Sequence, residues 1–583
     1  MGDPVYLRGA PPWPFGASAR EARAFILYSG VDPLNLGAHE GKGYLLVATP
    51  FNPDITLDIP GPPLPFGCSD RRTPRSFTSQ GLAETIYPVA TGNAARSSAN
   101  DDTPAATWVP GKLSGNFNYE VRLFAGAGPA QGGSGSLGIL ELADPDGELD
   151  DLRVLGWDGA PIELRRGEPS AAFSTFTTVA KLTTAGIRYN LRKKEILLRD
   201  LAWQLGTAEL HGERYGGTGG ADGDATLKGR IKPYCIGSVF NITPVQINAT
   251  SLIYQASFTS VLAIDAVRDG GAALTDDGDH ATYAALDAAS VASGHFATCE
   301  ALGLFKVGAA PVFILTADVR GDNDNINGLT YPHTRAQIAR RVATGRGTLK
   351  LRDPYQLDTS SFQYLDQWQT ATLGFYWDEE ASKAAALDEV MLGCAGWWTM
   401  RLNGTLAVGQ LEDPANLAPL FAVSYPTADE ESRVDEPAMT DYQPPRRSTL
   451  MGWRRNYTPM DTNQIAGGVT QANAAIYQAD ARYTTSEDIW VSSSYPSAPL
   501  VQLFGGFESE ADAQREGDRQ RKLFRTRREP FAIPVVMDPF ADVVGRVIQV
   551  NNSNRIGLGA SRNFFCSGIA VNGNAKPILQ LWG

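Results

Sequence analysis

Cysteine and histidine are scarce: five of each in 583 residues. Cys68, Cys235, Cys299, Cys394 and Cys566 are scattered, odd in number and nowhere arranged as CxxC. That excludes a disulfide scaffold and a cysteine-ligated zinc or iron–sulfur centre as organising features. The chain is expected to fold reduced, in a cytoplasm. His39, His211, His280, His295 and His333 lie far apart, so none is read as a general base. No run of about 18 apolar residues occurs, which excludes a membrane-spanning helix. No apolar stretch follows a basic start, so no secretory leader is expected. Nucleophile-elbow, P-loop and HExxH patterns are absent. Positive charge is also in deficit, with 51 Lys plus Arg against 64 Asp plus Glu and a formal charge of −13. Such a balance argues against a protein that grips nucleic acid or an anionic membrane with its whole surface.

Turn formers are plentiful instead. Gly (60) and Pro (37) make up about one residue in six, against about one in eight on average. With 43% hydrophobic residues the chain reads as folded, rich in short strands and turns.

The chain divides by pattern. Residues 1–24 form an arm with Trp13 and Phe15 as anchors or local core. Residues 25–225 are β in character, with strands at 44–48, 119–124 and 196–201, punctuated by Asp146-Gly147 and Asp158-Gly159. Residues 212–227 form a glycine-rich loop. A second β domain covers 226–332, with strands at 259–267 and 310–319 and a polar turn at Asp276–Asp279. An α/β domain covers 333–415, with helices expected at 335–343 and 378–392 and a hairpin around Asn403-Gly404. Residues 416–530 are mixed and end in a helix at 508–525, acidic at its start and basic at its end. A C-terminal β segment covers 531–583. The fold class is therefore mainly β with some α, in several domains.

Asp322-Asn323-Asp324-Asn325-Ile326-Asn327-Gly328 looks like a calcium loop, but Ile326 and Asn327 stand where an EF-hand wants Asp or Asn and then Gly. It reads as a solvated turn, with a weak calcium site as the alternative. Adjacent carboxylates such as Asp150-Asp151 and Glu379-Glu380 point apart and make poor acid–base pairs. The cluster Arg519, Arg521, Lys522, Arg525, Arg527, Arg528 reads as half of a self-neutralising helix. Trp397-Trp398 and Phe564-Phe565 read as core, with an interface role as the alternative.

Four passages carry a resemblance. They are Gly138–Asp150 (GILELADPDGELD) followed by Gly156-Trp157-Asp158-Gly159; Gly229–Gly237 (GRIKPYCIG) followed by Asn241-Ile242-Thr243-Pro244; Met451–Thr458 (MGWRRNYT); and the end, Ile578–Gly583 (ILQLWG). In order and spacing they resemble the hub proteins of tailed-phage baseplates and tail tips, including those of gene transfer agents.

The resemblance implies a structural virion protein and not an enzyme: a homotrimeric ring in which each chain contributes two tail-tube-like β-barrels. Such a ring joins the tail tube to the central spike or fibre, seeds tube assembly and forms part of the DNA channel. It implies contacts with a distal tail or tube protein, a tape measure and a spike or fibre, DNA passing without specific binding, and no membrane anchor. No cofactor or metal is implied, because the cysteines that ligate iron in some gene-transfer-agent proteins are lacking. Assembly candidates are Gly229, Arg230, Lys232, Pro233, Trp13 and Phe15. Arg230 and Lys232 alternate to one face, and Pro233 belongs at a strand edge or bend, not mid-ladder. A repelling lumen would carry acidic loops, with Asp222–Asp224 and Asp276–Asp279 as candidates, while Arg519–Arg528 lies off the axis or is paired with acids. The competing reading is a carbohydrate-active or carbohydrate-binding multi-domain β protein, which would need two carboxylates facing across a cleft.

Overall fold

The computed structural model describes strands at 25–29, 43–48, 95–96, 108–109 and 113–114, and residues 117–124, 134–147, 149–167, 175–424, 438–439, 445–551, 561–572 and 576–583. Trp13, Phe15 and Cys68 lie outside the described residues. The architecture is mainly β with helices, in several sheets.

The first sheet has seven strands, ordered Phe25–Ser29, Gly43–Ala48, Pro161–Gly167, Thr177–Tyr189, Lys193–Arg199, Ile139–Ala143 and Leu113–Ser114. Every neighbouring pair is antiparallel. Alternation builds it: Leu140 and Leu142 point inward from Ile139–Ala143, and Ile196 and Leu198 from Lys193–Arg199. Lys194 shares the inward face because Asp144 and Asp150 receive its ammonium at 2.9 and 2.7 Å. The turn Asp144–Asp150 thus places a carboxylate at each end around one buried lysine, with Gly147 at φ +74° between them.

The second sheet runs Phe421–Ser424, Val547–Asn551, Ser561–Val571, Ile578–Trp582, Pro530–Pro534 and Ala438–Met439. Tyr119–Arg122 joins it, pairing antiparallel with the far half of Ser561–Val571 in the register Val571↔Tyr119 to Gly568↔Arg122. Ser134–Leu137 continues outward from there. One core serves both sheets and includes Leu140, Trp157, Ile196, Trp397, Phe564, Phe565, Leu581 and Trp582. The two aromatic pairs are therefore core, with Trp397, Trp398, Phe564 and Phe565 at most 4% exposed.

A second β unit holds two five-stranded sheets. In one, Tyr234–Ile242 lies between Leu315–Gly321 and Gly374–Trp377, with Val261–Asp269 beyond. In the other, Val245–Asn248, Ile253–Gln255, Leu304–Val307, His295–Cys299 and Thr275–Asp279 follow in order. Their core includes Val239, Tyr254, Phe296, Phe305 and Val319. The expected polar turn at Asp276–Asp279 lies instead in an edge strand, Thr275–Asp279, with every residue in the exposed class, parallel to His295–Cys299. Exposed acids suit an edge that must not recruit further strands.

The helical portion packs Arg335–Thr344 and Lys383–Leu392 together, with Thr359–Trp368 against the first. The hairpin Gly396–Met400/Leu406–Gln410 turns at Asn403-Gly404 as expected. Lys383–Leu392 starts later than periodicity alone implies, because the Ser382 hydroxyl accepts from the Ala385 amide and caps the helix there. Glu510–Phe524 likewise starts at a Ser509 cap. It packs on a three-stranded sheet centred on Ser448–Trp453, with Arg482–Glu487 antiparallel and Leu500–Phe507 parallel to it. Thr359–Trp368 and Gln471–Gln478 escaped the sequence reading. Both are short; Asp358 and Thr470 cap them, and they bury only Phe362 and Leu365 in the first and Tyr477 in the second.

Candidate functional site

The sequence-selected segment opens the second β unit. Gly229 sits exposed at φ +83° with open space where a Cβ would be. Arg230 points to solvent, and its carbonyl accepts from the Tyr215 amide at 2.9 Å. Lys232 is tucked in: its Nζ lies 3.2 Å from Asp222 and 5.3 Å from the centre of the Tyr215 ring. The two cations thus occupy different environments. Pro233 is buried immediately ahead of Tyr234–Ile242, outside the ladder, and its carbonyl accepts from the Phe258 amide at 2.8 Å. Gly237 carries the steric demand. It has φ +71°, and a Cβ there would stand 1.9 Å from the Leu373 carbonyl oxygen.

The acids suggested for a repelling surface are engaged in local structure. The Gly216 amide and Lys232 hold the Asp222 carboxyl below the usual carboxylate range. Asp224 caps Ala225–Leu227, Asp277 meets His295 at 2.7 Å, and Asp279 accepts from the Glu300 amide. The basic stretch is largely paired as well: Arg519 with Glu516, Arg521 and Arg525 with Asp488, Arg527 with Glu529, and Arg528 with Asp413.

Asp322–Gly328 is the expected solvated turn in its second half, where Asn325, Asn327 and Gly328 are exposed, while the acids of its first half are held by arginines. Asp322 is fully buried, and its carboxylate meets Arg341 at 2.5 Å, Arg346 at 2.7 Å and the Tyr234 hydroxyl at 2.6 Å. Asp324 accepts from the Ser260 hydroxyl at 2.6 Å and pairs with Arg346 at 2.5 Å. Two guanidinium groups occupy the place a calcium ion would need. Next to this cluster, His211 is buried, and neither ring nitrogen has a hydrogen-bond partner among the described residues. Its ring lies 4.6 Å from Phe258 and 5.6 Å from Tyr234. Burial, reinforced by Arg346, Arg214 and Lys383, pushes its pKa down to about 4. The Lys383 ammonium donates to the Val342 carbonyl, and burial lowers its pKa to about 7. Sequence reasoning missed this cluster. The available signal was Arg341, a charge on the apolar face of Arg335–Thr344 next to Ile338 and Val342; such a residue needs a buried partner.

A cleft of about 220 Å³ lies between the two large sheets and the Asn403 turn. Phe540 stacks on Tyr119 at 6.2 Å inside it. Arg166 forms a two-pronged pair with Asp538, at 2.9 and 2.5 Å. Arg401 pairs with Asp358 at 2.9 Å and with Asp542. The arrangement is apolar and locally neutral, with each guanidinium held by a carboxylate. The described residues contain no group of three or more His, Cys, Asp or Glu placed to hold a metal. Cys235, Cys299, Cys394 and Cys566 are buried, and burial pushes all four thiols up.

No protein-family model and no curated protein matches the chain. Among solved structures, a tail protein from Neisseria meningitidis MC58 aligns over 80% of this chain and 91% of its own, at 12% identity and a TM-score of 0.32. The 43 kDa tail protein of prophage MuSo2 from Shewanella oneidensis aligns over 82% and 95%, at 8% identity and a TM-score of 0.29. Prophage tail protein gp18 from Listeria monocytogenes EGD-e aligns over 80% and 94%, at 8% identity and a TM-score of 0.23. At these values the likeness carries no function over to this chain.

Proposed function

We propose that the chain is a structural protein of a phage-type tail, and within the tail the hub that joins the tube to a central spike or fibre. The observation that supports this reading is the presence of two β units in one chain, each around its own core. Three such chains would present six β units in a ring, the arrangement implied by the four resembling passages. The paired state of the charged groups in the cleft suits a protein that works through interfaces. A net charge of −13 suits a conduit along which DNA passes without sticking. In this reading the chain is homotrimeric, contacts tube, tape-measure and spike proteins, and resides in the virion.

The test is a density map of the tail that carries the chain, together with the native mass of the purified protein. Three copies in a ring at the tail tip are expected. Six copies, a single copy, or a monomer that releases sugars from cell-wall glycans would overturn the proposal.

A further inference from the structure

We propose that the chain binds a second copy of itself head to tail: the basic and apolar surface at the end of Glu510–Phe524 seats the acidic strand Thr275–Asp279 and the Val312-Phe313 loop of the next copy. The inference rests on the ring reading above and names the surfaces through which the ring closes. The first surface carries charge that its own chain leaves unbalanced. One buried carboxylate, Asp488, serves both Arg521 at 3.3 Å and Arg525 at 3.7 Å. Arg446, Arg447 and Lys522 have no carboxylate partner among the described residues. The Asp488 amide donates to the Arg447 carbonyl at 2.8 Å and the Arg446 amide to the Phe524 carbonyl at 3.0 Å, which fixes all three cations at this end of the helix. Arg446 lies over the Phe524 ring at 3.6 Å, and burial lowers its pKa to about 10. A guanidinium withdrawn from water without an acid is costly, so an occupant bringing carboxylates is favoured. Ile489 and Trp490, directly after Asp488, are 81% and 57% exposed. Leu500, in register with Ser448, is exposed as well. Arginine beside an exposed tryptophan is the composition of an interface hot spot.

The second surface is its complement. Thr275–Asp279 is exposed along its whole length and presents Asp276, Asp277 and Asp279. Burial first, then Asp279, Asp276 and Asp265, pushes the adjoining Glu300 carboxyl up, so these acids repel one another. Apolar side chains border them: Val312 is 80% exposed, and Phe313 is exposed beside it. Asp269 holds both in place by accepting their amides at 2.8 and 2.7 Å. Their loop begins where the acidic strand does, since Gly308 donates to the His295 carbonyl at 3.1 Å and Thr275 to the Gly294 carbonyl at 3.0 Å.

The two surfaces do not meet within one chain. Arg447 stands at the start of Ser448–Trp453, whereas Phe313 packs over Gly270, whose carbonyl accepts at 2.8 Å from Ala466, in the segment that leaves the strand's other end. The ends of this six-residue strand are about 20 Å apart, at about 3.3 Å per residue. Complementary patches at separate places on one molecule make a heterologous contact, which closes into a ring when the rotation permits. Aliphatic Ile489 and Leu500, matched by Val312 and Phe313, favour a second copy over a phosphate backbone.

Sedimentation velocity on the purified full chain, at about 0.05 M and about 0.5 M salt, tests this. The wild type should self-associate and come apart as salt rises. Arg447→Glu with Lys522→Glu, both at exposed positions, should weaken association about ten-fold or more, because like charges then face each other. Asp276→Lys with Asp277→Lys should do the same from the other side. All four substitutions in one chain should restore association, a recovery that misfolding of either pair would not allow. Association undiminished by the two reversals, or not regained in the fourfold variant, would overturn this contact and leave the ring reading standing. A wild type that stays monomeric overturns this contact alone if a density map of the tail still shows a three-fold ring, and both if it does not. Binding of a labelled oligothymidylate that is lost in Arg447→Glu/Lys522→Glu while self-association persists would assign the surface to nucleic acid instead.

Discussion

Asp322 and Arg341 face each other at 2.5 Å with 0% and 1% of their side chains exposed, and Arg346 closes on the same carboxylate at 2.7 Å. One acid thus bridges two guanidinium groups where the second β unit meets Arg335–Thr344, and Asp324 serves Arg346 as well. Asp322→Ala leaves the buried Arg341 without its carboxylate and Arg346 with Asp324 alone, and should destabilise this region by about 3–5 kcal/mol. Asp324→Ala, at a carboxylate 35% exposed, should cost about 1 kcal/mol or less. Urea denaturation followed by tryptophan fluorescence distinguishes the two. Equal midpoints would show that the buried charge is compensated elsewhere.

Stability should fall on acidification in two separate windows. Lys383 has a folded pKa of about 7 against 10.5 as the ordinary value. The unfolded chain therefore binds a proton that the folded chain refuses as pH drops from 10.5 to 7, and below 7 the penalty is complete. His211, with a folded pKa of about 4 against 6.5, repeats this between 6.5 and 4. Lys383→Met should flatten the upper limb of the stability profile and His211→Phe the lower one. Chemical denaturation at pH 9.5, 7 and 5 checks both; a wild-type profile that rises on acidification through either window would contradict the assignment.

The two glycines of the second resembling passage should differ sharply. Gly229→Ala adds a methyl into open space and bears only the left-handed backbone cost, about 1–2 kcal/mol. Gly237→Ala bears the same strain and also drives the Leu373 carbonyl away, unpairing Gly374–Trp377 from Tyr234–Ile242. Hydrogen exchange of the Phe375 and Trp377 amides should accelerate in Gly237→Ala and stay unchanged in Gly229→Ala.

Arg230 and Lys232 should likewise separate. Arg230→Glu changes a solvent-exposed side chain and should leave stability within about 0.5 kcal/mol. Any loss of assembled particles in that variant then reports an interface. Lys232→Glu places like charges at Asp222 and should lower the melting temperature of the isolated chain. Particle yield and thermal unfolding measured on both variants check the pair. An Arg230→Glu chain that unfolds early would place Arg230 in the folding core instead.

Local pattern determined the elements whose cause is local. The Asn403-Gly404 hairpin, the alternating strand Ile578–Trp582 and the dipole-matched helix Glu510–Phe524 each announce themselves within a dozen residues. Turn chemistry, period and charge order act at that range. The position of Pro233 outside a ladder follows from its missing N–H in the same way. Tertiary structure alone decided the rest. Tyr119–Arg122 reads as a half-buried strand, but nothing in its composition names Gly568–Val571 as the partner across more than 440 residues. The carboxylates of Asp322 and Asp324 suit a cation as well as an arginine in sequence; the fold brings Arg341 of Arg335–Thr344 and Arg346 just beyond it to them instead. Periodicity encodes which face of an element is buried, whereas the identity of its partner depends on long-range closure of the chain, where shape and buried charge select among faces of equal hydrophobicity.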